Sequence, residues 1–459
     1  MLEAGPDLAH PILAEWHDGW RLPTVPDWDF LSEPDPAGAT NRLRRGRLVG
    51  GTSWLTRFAV RGAAADFDAW AARGNPGWSF AEVLPVFRRQ EADAEFGGDA
   101  FHGADGPIPI TRYPGHRLSE IHAAALQAFE ALGFPPVHDH NLPSSVGAGP
   151  MPMSSRDGRR FTTADAYLAP DQRPATLAIR ADAPVAEVIV DAGRATGVRL
   201  LDGTDVSASW VVLAAGTYGS PPILMRSGIG PAEHLREVGV EVLHDLPGVG
   251  ANLADHPGID LDSGWRGEAK TGSVLHTIAT FRSSKCRSVD APDMMFWVSD
   301  PQGAEPAFYF DPILLKPASR GSVRLRSADP ADAPRIALPG PDEEADMARM
   351  GEAYRIGLEL ANRREVRTLA AEPAPSEPSS AGDLRRRLLD NWYSNPHVVG
   401  TCRMGPSPDD GDVVDALGRV HGVDRLSVVD ASVIPEPPSG SPHLIAIWWP
   451  STWRRCCAA

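Results

Sequence analysis

The sequence predicts a mixed fold, α/β in part and α+β over its whole length, and three patterns predict it. Trp210-Val211-Val212-Leu213-Ala214-Ala215 reads as a buried strand that stops at Gly216 and hands over to a helix. Val185 to Val190, a turn at Ala192-Gly193, Gly197 to Leu201 and then Asp202-Gly203 form an antiparallel hairpin signal. Ser119 to Leu132 sets Ile121, Ala125, Ala128 and Leu132 on one face, with Gly133 just past the end, as an amphipathic packing helix requires.

Taken in order, Gly46-Arg47-Leu48-Val49-Gly50-Gly51-Thr52-Ser53-Trp54-Leu55-Thr56 is a glycine-rich loop. Glycine suits a loop whose backbone N–H groups must come close to phosphates, although turns also use the Gly-Gly pair freely. His102-Gly103 and Gly106-Pro107 fall in loops. Asp245 to Pro257 contains Gly248-Val249-Gly250 but no third glycine and no following helix, so it reads as a structural loop. Ala370 to Gly382, rich in Pro, Ser and Glu, reads as an exposed loop. Leu426 to Val429 reads as a second short buried strand, entered and left through turn residues. It lies between two His-bearing loops, Asn395-Pro396-His397 and Pro438-Ser439-Gly440-Ser441-Pro442-His443. Such a layout points two imidazoles at one pocket, and imidazole suits proton abstraction because its ordinary pKa is about 6.5. Most of the 14 histidines are expected to be surface or satisfied core residues.

Length and charge narrow the class. A chain of 459 residues has room for two or three domain-sized units. A net charge of −16, from 44 basic and 60 acidic residues, argues against nucleic-acid binding. No apolar run reaches the roughly 18 residues of a membrane span, and Met1 to Asp7 lacks the features of a signal peptide. Cys286, Cys402, Cys456 and Cys457 show neither a disulfide framework nor zinc spacing, which fits a reducing cytoplasm. There is no Walker A loop, no HExxH, no internal repeat and no expected metal site.

These stretches together resemble the glucose–methanol–choline (GMC) flavoprotein oxidoreductases. The resemblance runs from Leu2-Glu3-Ala4-Gly5-Pro6 to about Ile447. It is carried by the Gly46–Thr56 loop with Arg61-Gly62 and Gly74-Asn75-Pro76-Gly77-Trp78, by Phe161 to Leu168, and by Leu315 to Leu325. Gly216-Thr217-Tyr218-Gly219-Ser220-Pro221-Pro222-Ile223-Leu224 is its most specific match, and Asn395 to Gly405 with Val420 to His443 complete it. Two departures stand in the first loop: Thr56 replaces the usual Asn, and the segment to Arg61 is one residue short.

The resemblance implies a Rossmann-like FAD domain lacking its first βα unit and a substrate domain with an antiparallel sheet. The expected division is 1–70, 165–260 and 410–459 for the first and 71–164 and 261–409 for the second. It implies FAD, bound non-covalently because the glycine loop has no His, and contacted by Glu3, Arg47, Gly50, Gly51, Thr52, Ser53, Thr56, Val185, Ala215, Gly216, Asp430, Ala431, His443 and Leu444. Glu3 corresponds to the acid that meets the adenosine ribose. His397 is the implied base on an alcohol and His443 its partner. An electron acceptor (quinone, redox carrier or oxygen) completes the implied partners. Pro442-His443, where other members have Asn, suggests the mycofactocin-associated branch, with choline-dehydrogenase-like activity as the close alternative. A cyanohydrin lyase that keeps FAD as structural support and an inactive relic are further alternatives.

Two expectations concern the ends. The Gly-x-Gly-x-x-Gly loop is expected about 20 residues before Glu3, so the resemblance implies an N-terminally truncated member that holds FAD poorly. Trp448 to Cys457 makes a poor helix. Only three of the 44 basic residues are lysines, which suggests GC-rich codons. Such codons, read one base earlier, encode a helix resembling the family's, so a frameshift near Ile447 is expected.

Overall fold

The structure is a computed structural model, and it describes residues 1–8, 25–35, 38–267, 275–302 and 307–447. Trp448 to Cys457, Cys456 and Cys457 among them, lie outside the described residues.

Two bodies of packing emerge. In the first, Val211–Leu213 and Leu426–Val428 pair in parallel, Val211 opposite Leu426 and Leu213 opposite Val428. The helix Ser220–Arg226 starts just after Gly216 and packs Ile223 and Leu224 into the same core. The hairpin Val185–Asp191 with Arg194–Leu200, extended by Asp205–Ser207, adds Val188, Val198 and Leu200. Ala192 and Gly193 turn it with φ of 47° and 77°. Helices Ala64–Ala72 and Phe80–Gln90 bring Phe67, Trp70 and Phe87 to this core. Full burial of each such side chain contributes about 1.5–3 kcal/mol.

The second body is the expected antiparallel sheet, seven strands in all. Its path runs Trp392–Ser394, Pro257–Ile259, Ala307–Leu314, Met294–Gln302, Thr277–Phe281 and Gly147–Pro150, with Asp262–Gly264 also paired to Ala307–Leu314. The predicted helix spans Glu120–Ala131, capped by Ser119, whose hydroxyl accepts from the His122 N–H. It buries Ile121, Ala125, Ala128 and Phe129 against Phe296 and Phe310 of the sheet, together with Tyr354 and Leu358 from the helix Glu344–Asn362.

One element departs from expectation. Trp210 to Ala215 reads as a continuous buried strand, yet only Val211–Leu213 is strand, with Val212 40% exposed and Ala214 and Ala215 exposed. The reason is the strand's two faces: successive side chains alternate, so Val211 and Leu213 point into the core while Val212 points to the uncovered side. No helix among the described residues is long and apolar enough to cross a membrane.

Candidate active site

His397 sits on a loop bolted to a second loop. Ala254 and Val399 exchange backbone hydrogen bonds of 3.1 and 2.9 Å, and Asn395 N–H donates to the His256 carbonyl at 3.2 Å. The buried Asp255 carboxylate accepts from the His397 N–H and the His256 N–H, both at 2.8 Å, and from the Ser394 hydroxyl. Position of the backbone is therefore set by Asp255, and that of the ring by His256. The two Nδ1 atoms lie 3.0 Å apart and the rings meet edge to face. Phe58 and Trp297 stand at near right angles to the His397 ring, with centroids 6.4 and 6.1 Å away, and touch one another at 4.6 Å.

His443 follows the Ser439–Ser441 turn. Its N–H donates to Ser441 Oγ at 3.2 Å, and its Nε2 lies 3.4 Å from Ser154 Oγ. Burial holds all three imidazoles neutral. It pushes His397 well below the usual histidine range, helped by His256, Arg45 and His443. It takes His443 down to about 4, with Arg160 assisting, and His256 down to about 3, with Lys316 assisting. His443 is among the groups that lower His397.

Asp255 and His256 were the part of the site hidden in a segment that reads as a structural loop. The only signal in the sequence is the Asp-His pair itself, and nothing local reveals a partner 141 residues away.

The residues expected to hold FAD fall in three places. Leu2 pairs in parallel with Arg180, and Glu3 folds back so that its carboxylate accepts from the Gly5 N–H at 2.9 Å. Burial raises the Glu3 pKa against the pull of the Gly5 and Ala4 amides and Arg47. The glycine loop turns through Gly50 and Gly51 at φ of 97° and 53° into the short helix Gly51–Trp54, which contains Thr52; Ser53 Oγ donates to the Gly50 carbonyl at 2.6 Å. The third place is Asp430. Its carboxylate accepts from the Gly216 N–H at 2.8 Å, Ser220 Oγ at 2.6 Å and Ser432 N–H at 2.8 Å, and so locks the Ala215-Gly216 turn to Ala431. Val185 pairs with Leu200, and Leu444 is buried in the core with its carbonyl accepting from Gln90.

These surroundings fit a dinucleotide. A side chain at Gly51 or Gly216 would meet nothing within 4 Å, so both turns face open space. Arg47 Nε and Thr56 Oγ1 are buried without a hydrogen-bond partner among the described residues, as donors awaiting an acceptor would be.

Comparison with known proteins agrees. The family models described as GMC oxidoreductase match residues 35–258 and 317–448. A 5-(hydroxymethyl)furfural oxidase of Methylovorus sp. (strain MP688) is 33% identical, covering 97% of this chain and 91% of the relative. An oxygen-dependent choline dehydrogenase of Rhizobium rhizogenes is 32% identical, covering 96% and 86%. Pyridoxine 4-oxidase from Mesorbium loti superposes with a TM-score of 0.92 at 30% identity, covering 99% of this chain and 93% of that one.

Proposed function

The chain belongs to the GMC oxidoreductases, which bind FAD, and from that premise we propose that it oxidises an alcohol with His397 as base and His443 as its partner. The observation that carries this reading is the 3.0 Å contact between His397 Nδ1 and His256 Nδ1. Two neutral imidazoles at that distance share one proton between the facing nitrogens. With the proton on His397 Nδ1 and the lone pair on His256, His397 Nε2 is left bare and able to accept the substrate hydroxyl proton. The resulting imidazolium keeps its Nδ1–H bonded to His256. Asp255 holds the loop while this happens, so no reorganisation is needed at the moment of transfer. On this reading His443, steadied by Ser154 and Ser441, would orient the hydroxyl oxygen.

FAD, when bound, supplies the hydride acceptor. Glu3, Arg47, Gly50, Gly51, Thr52, Ser53, Thr56, Val185, Ala215, Gly216, Asp430, Ala431, His443 and Leu444 would hold it. Gly46 to Thr56 contains neither His nor Cys, which supports non-covalent binding.

Anaerobic flavin reduction tests the assignment. His397→Ala should slow it by about 10²–10⁴-fold while the flavin stays bound. Reduction at the parental rate would remove His397 as the base.

A further inference from the structure

We propose that the chain carries a metal site apart from the flavin, in which His122, His276 and Asp300 take one divalent transition-metal ion of the zinc class. The three ligands come from three elements. His122 lies in the first turn of the helix Glu120–Ala131, His276 stands directly before the strand Thr277–Phe281, and Asp300 lies within the strand Met294–Gln302. All three side chains are buried. No spacing pattern in the sequence signals the site, because its members meet only where the helix packs on the sheet.

Distances carry the assignment. The Nε2 atoms of His122 and His276 lie 3.9 and 4.0 Å from the same oxygen, Asp300 Oδ2, and one ligand atom from each of the three residues falls within 4.8 Å of the others. The two separations are too long for hydrogen bonds. They are also shorter than the roughly 4.5 Å that a water spans with two hydrogen bonds of about 2.8 Å. Two metal bonds of about 2.0–2.2 Å span about 3.4 Å at a tetrahedral angle and about 4.2 Å at most, so an ion seats between the ligands after a contraction of about half an ångström.

The shell behind the ligands is that of a metal site. A metal-binding imidazole donates its other N–H to a fixed acceptor. His122 Nδ1 lies 2.8 Å from Thr277 Oγ1, and by donating there the ring turns its Nε2 lone pair toward Asp300. Ser119 Oγ donates to Asp300 Oδ1 at 2.5 Å, and Oδ2 faces the imidazoles. Tyr113 lies flat against His276, with centroids 3.6 Å apart and planes 7° apart, and the His122 ring follows at 4.4 Å. Stacking therefore holds both imidazoles in place. Two imidazoles and one carboxylate suit zinc and its neighbours rather than calcium or magnesium. Glu91, Asp93 and His102 are the other such group among the described residues, but direct contacts of 3.1 Å close it and Arg61 and Arg112 neutralise it.

An ion here ties the helix to two strands of the sheet. The His276 carbonyl accepts from the Met151 N–H at 2.9 Å, and Met151 shares an apolar cluster with Phe58 and Trp297, the two rings beside His397. The metal thus steadies the back of the wall that flanks the base.

The test strips the FAD-loaded chain with a chelator, dialyses it against micromolar Zn²⁺, and measures metal per chain and melting, beside His276→Phe and Asp300→Asn. Phenylalanine keeps the stack on Tyr113 and asparagine keeps the carboxylate's shape, and retained flavin reports that each variant folds. The parental chain should hold one zinc, and both variants should bind it at least about tenfold more weakly. Zinc should raise Tm by several degrees in the parental chain alone. A parental chain that takes up no zinc, or a flavin-bearing variant that binds zinc as tightly as the parent, would overturn the site. A variant that loses its flavin is set aside, and the parental stoichiometry with the remaining variant decides.

Discussion

His256 illustrates how much hangs on a single nitrogen. Its Nδ1 faces His397, and its ring also meets the Pro438 and Leu315 carbonyls. Replacing it by Phe removes the acceptor and leaves His397 free to adopt the unproductive tautomer. His256→Phe should therefore slow flavin reduction by about 10–100-fold, and His256→Gln, whose amide oxygen accepts a hydrogen bond, should recover most of that loss. Equal rates in both variants would show that the contact matters only for packing. Burial also moves the pH dependence. Because His397 lies well below the usual histidine range and His443 near 4, both rings stay neutral as pH falls from 8 to 5.5. Flavin reduction should be flat over that window, and an inflection near 6.5 would mean that water reaches the pair.

At the scale of elements, charge networks tie distant segments together. His102, read from the sequence as a loop residue, is buried where four segments meet. Its Nδ1 lies 3.1 Å from both Glu91 and Asp93, and its Nε2 2.8 Å from Asp139. Arg61 pairs with Glu91, and Arg112 with Asp93, Asp139 and the more exposed Glu95, so four carboxylates face two guanidiniums and one imidazole. Burial alone would lower the His102 pKa, but the hydrogen bonds its ring donates to Asp139, Asp93 and Glu91 outweigh it and hold it at about 10. The folded value lies above the ordinary 6.5, so the stabilisation is complete below about pH 6.5 and is lost as pH rises through about 10. Thermal melts should fall from pH 7 to 10, and His102→Ala should cost about 3–5 kcal/mol at pH 7 and flatten that slope. Asp430 is the corresponding clamp of the first body. Asp430→Ala leaves the Gly216 amide, the Ser220 hydroxyl and the Ser432 amide without their acceptor, a loss of about 2–4 kcal/mol, and should lower bound flavin per chain.

For the whole molecule, the two bodies meet at the His397 loop. Ala254 to His256 leads directly into the sheet strand Pro257–Ile259, and Asn395 to Val399 follows directly on its neighbour Trp392–Ser394. A cofactor seated against Gly51, Gly216 and Asp430 binds the folded chain and not the unfolded one. Free FAD at about 100 times its Kd should therefore add about 2.7 kcal/mol of stability and raise Tm by several degrees. A melt that ignores FAD would reject the assignment of these residues to the cofactor.

By itself the sequence determined what is local. The helix Glu120–Ala131 follows from 3.6-residue periodicity, a serine cap and a glycine stop. The hairpin around Ala192-Gly193 follows from turn chemistry, and His397, His443 and the glycine loops stand out because short motifs carry them. What the sequence could not contain is partnership across long separations. Whether Val212 is covered depends on what packs on its face of the strand. That Asp255 and His256 mount the base, and that His102 closes a charge network, depends on loops far apart in sequence meeting in the fold.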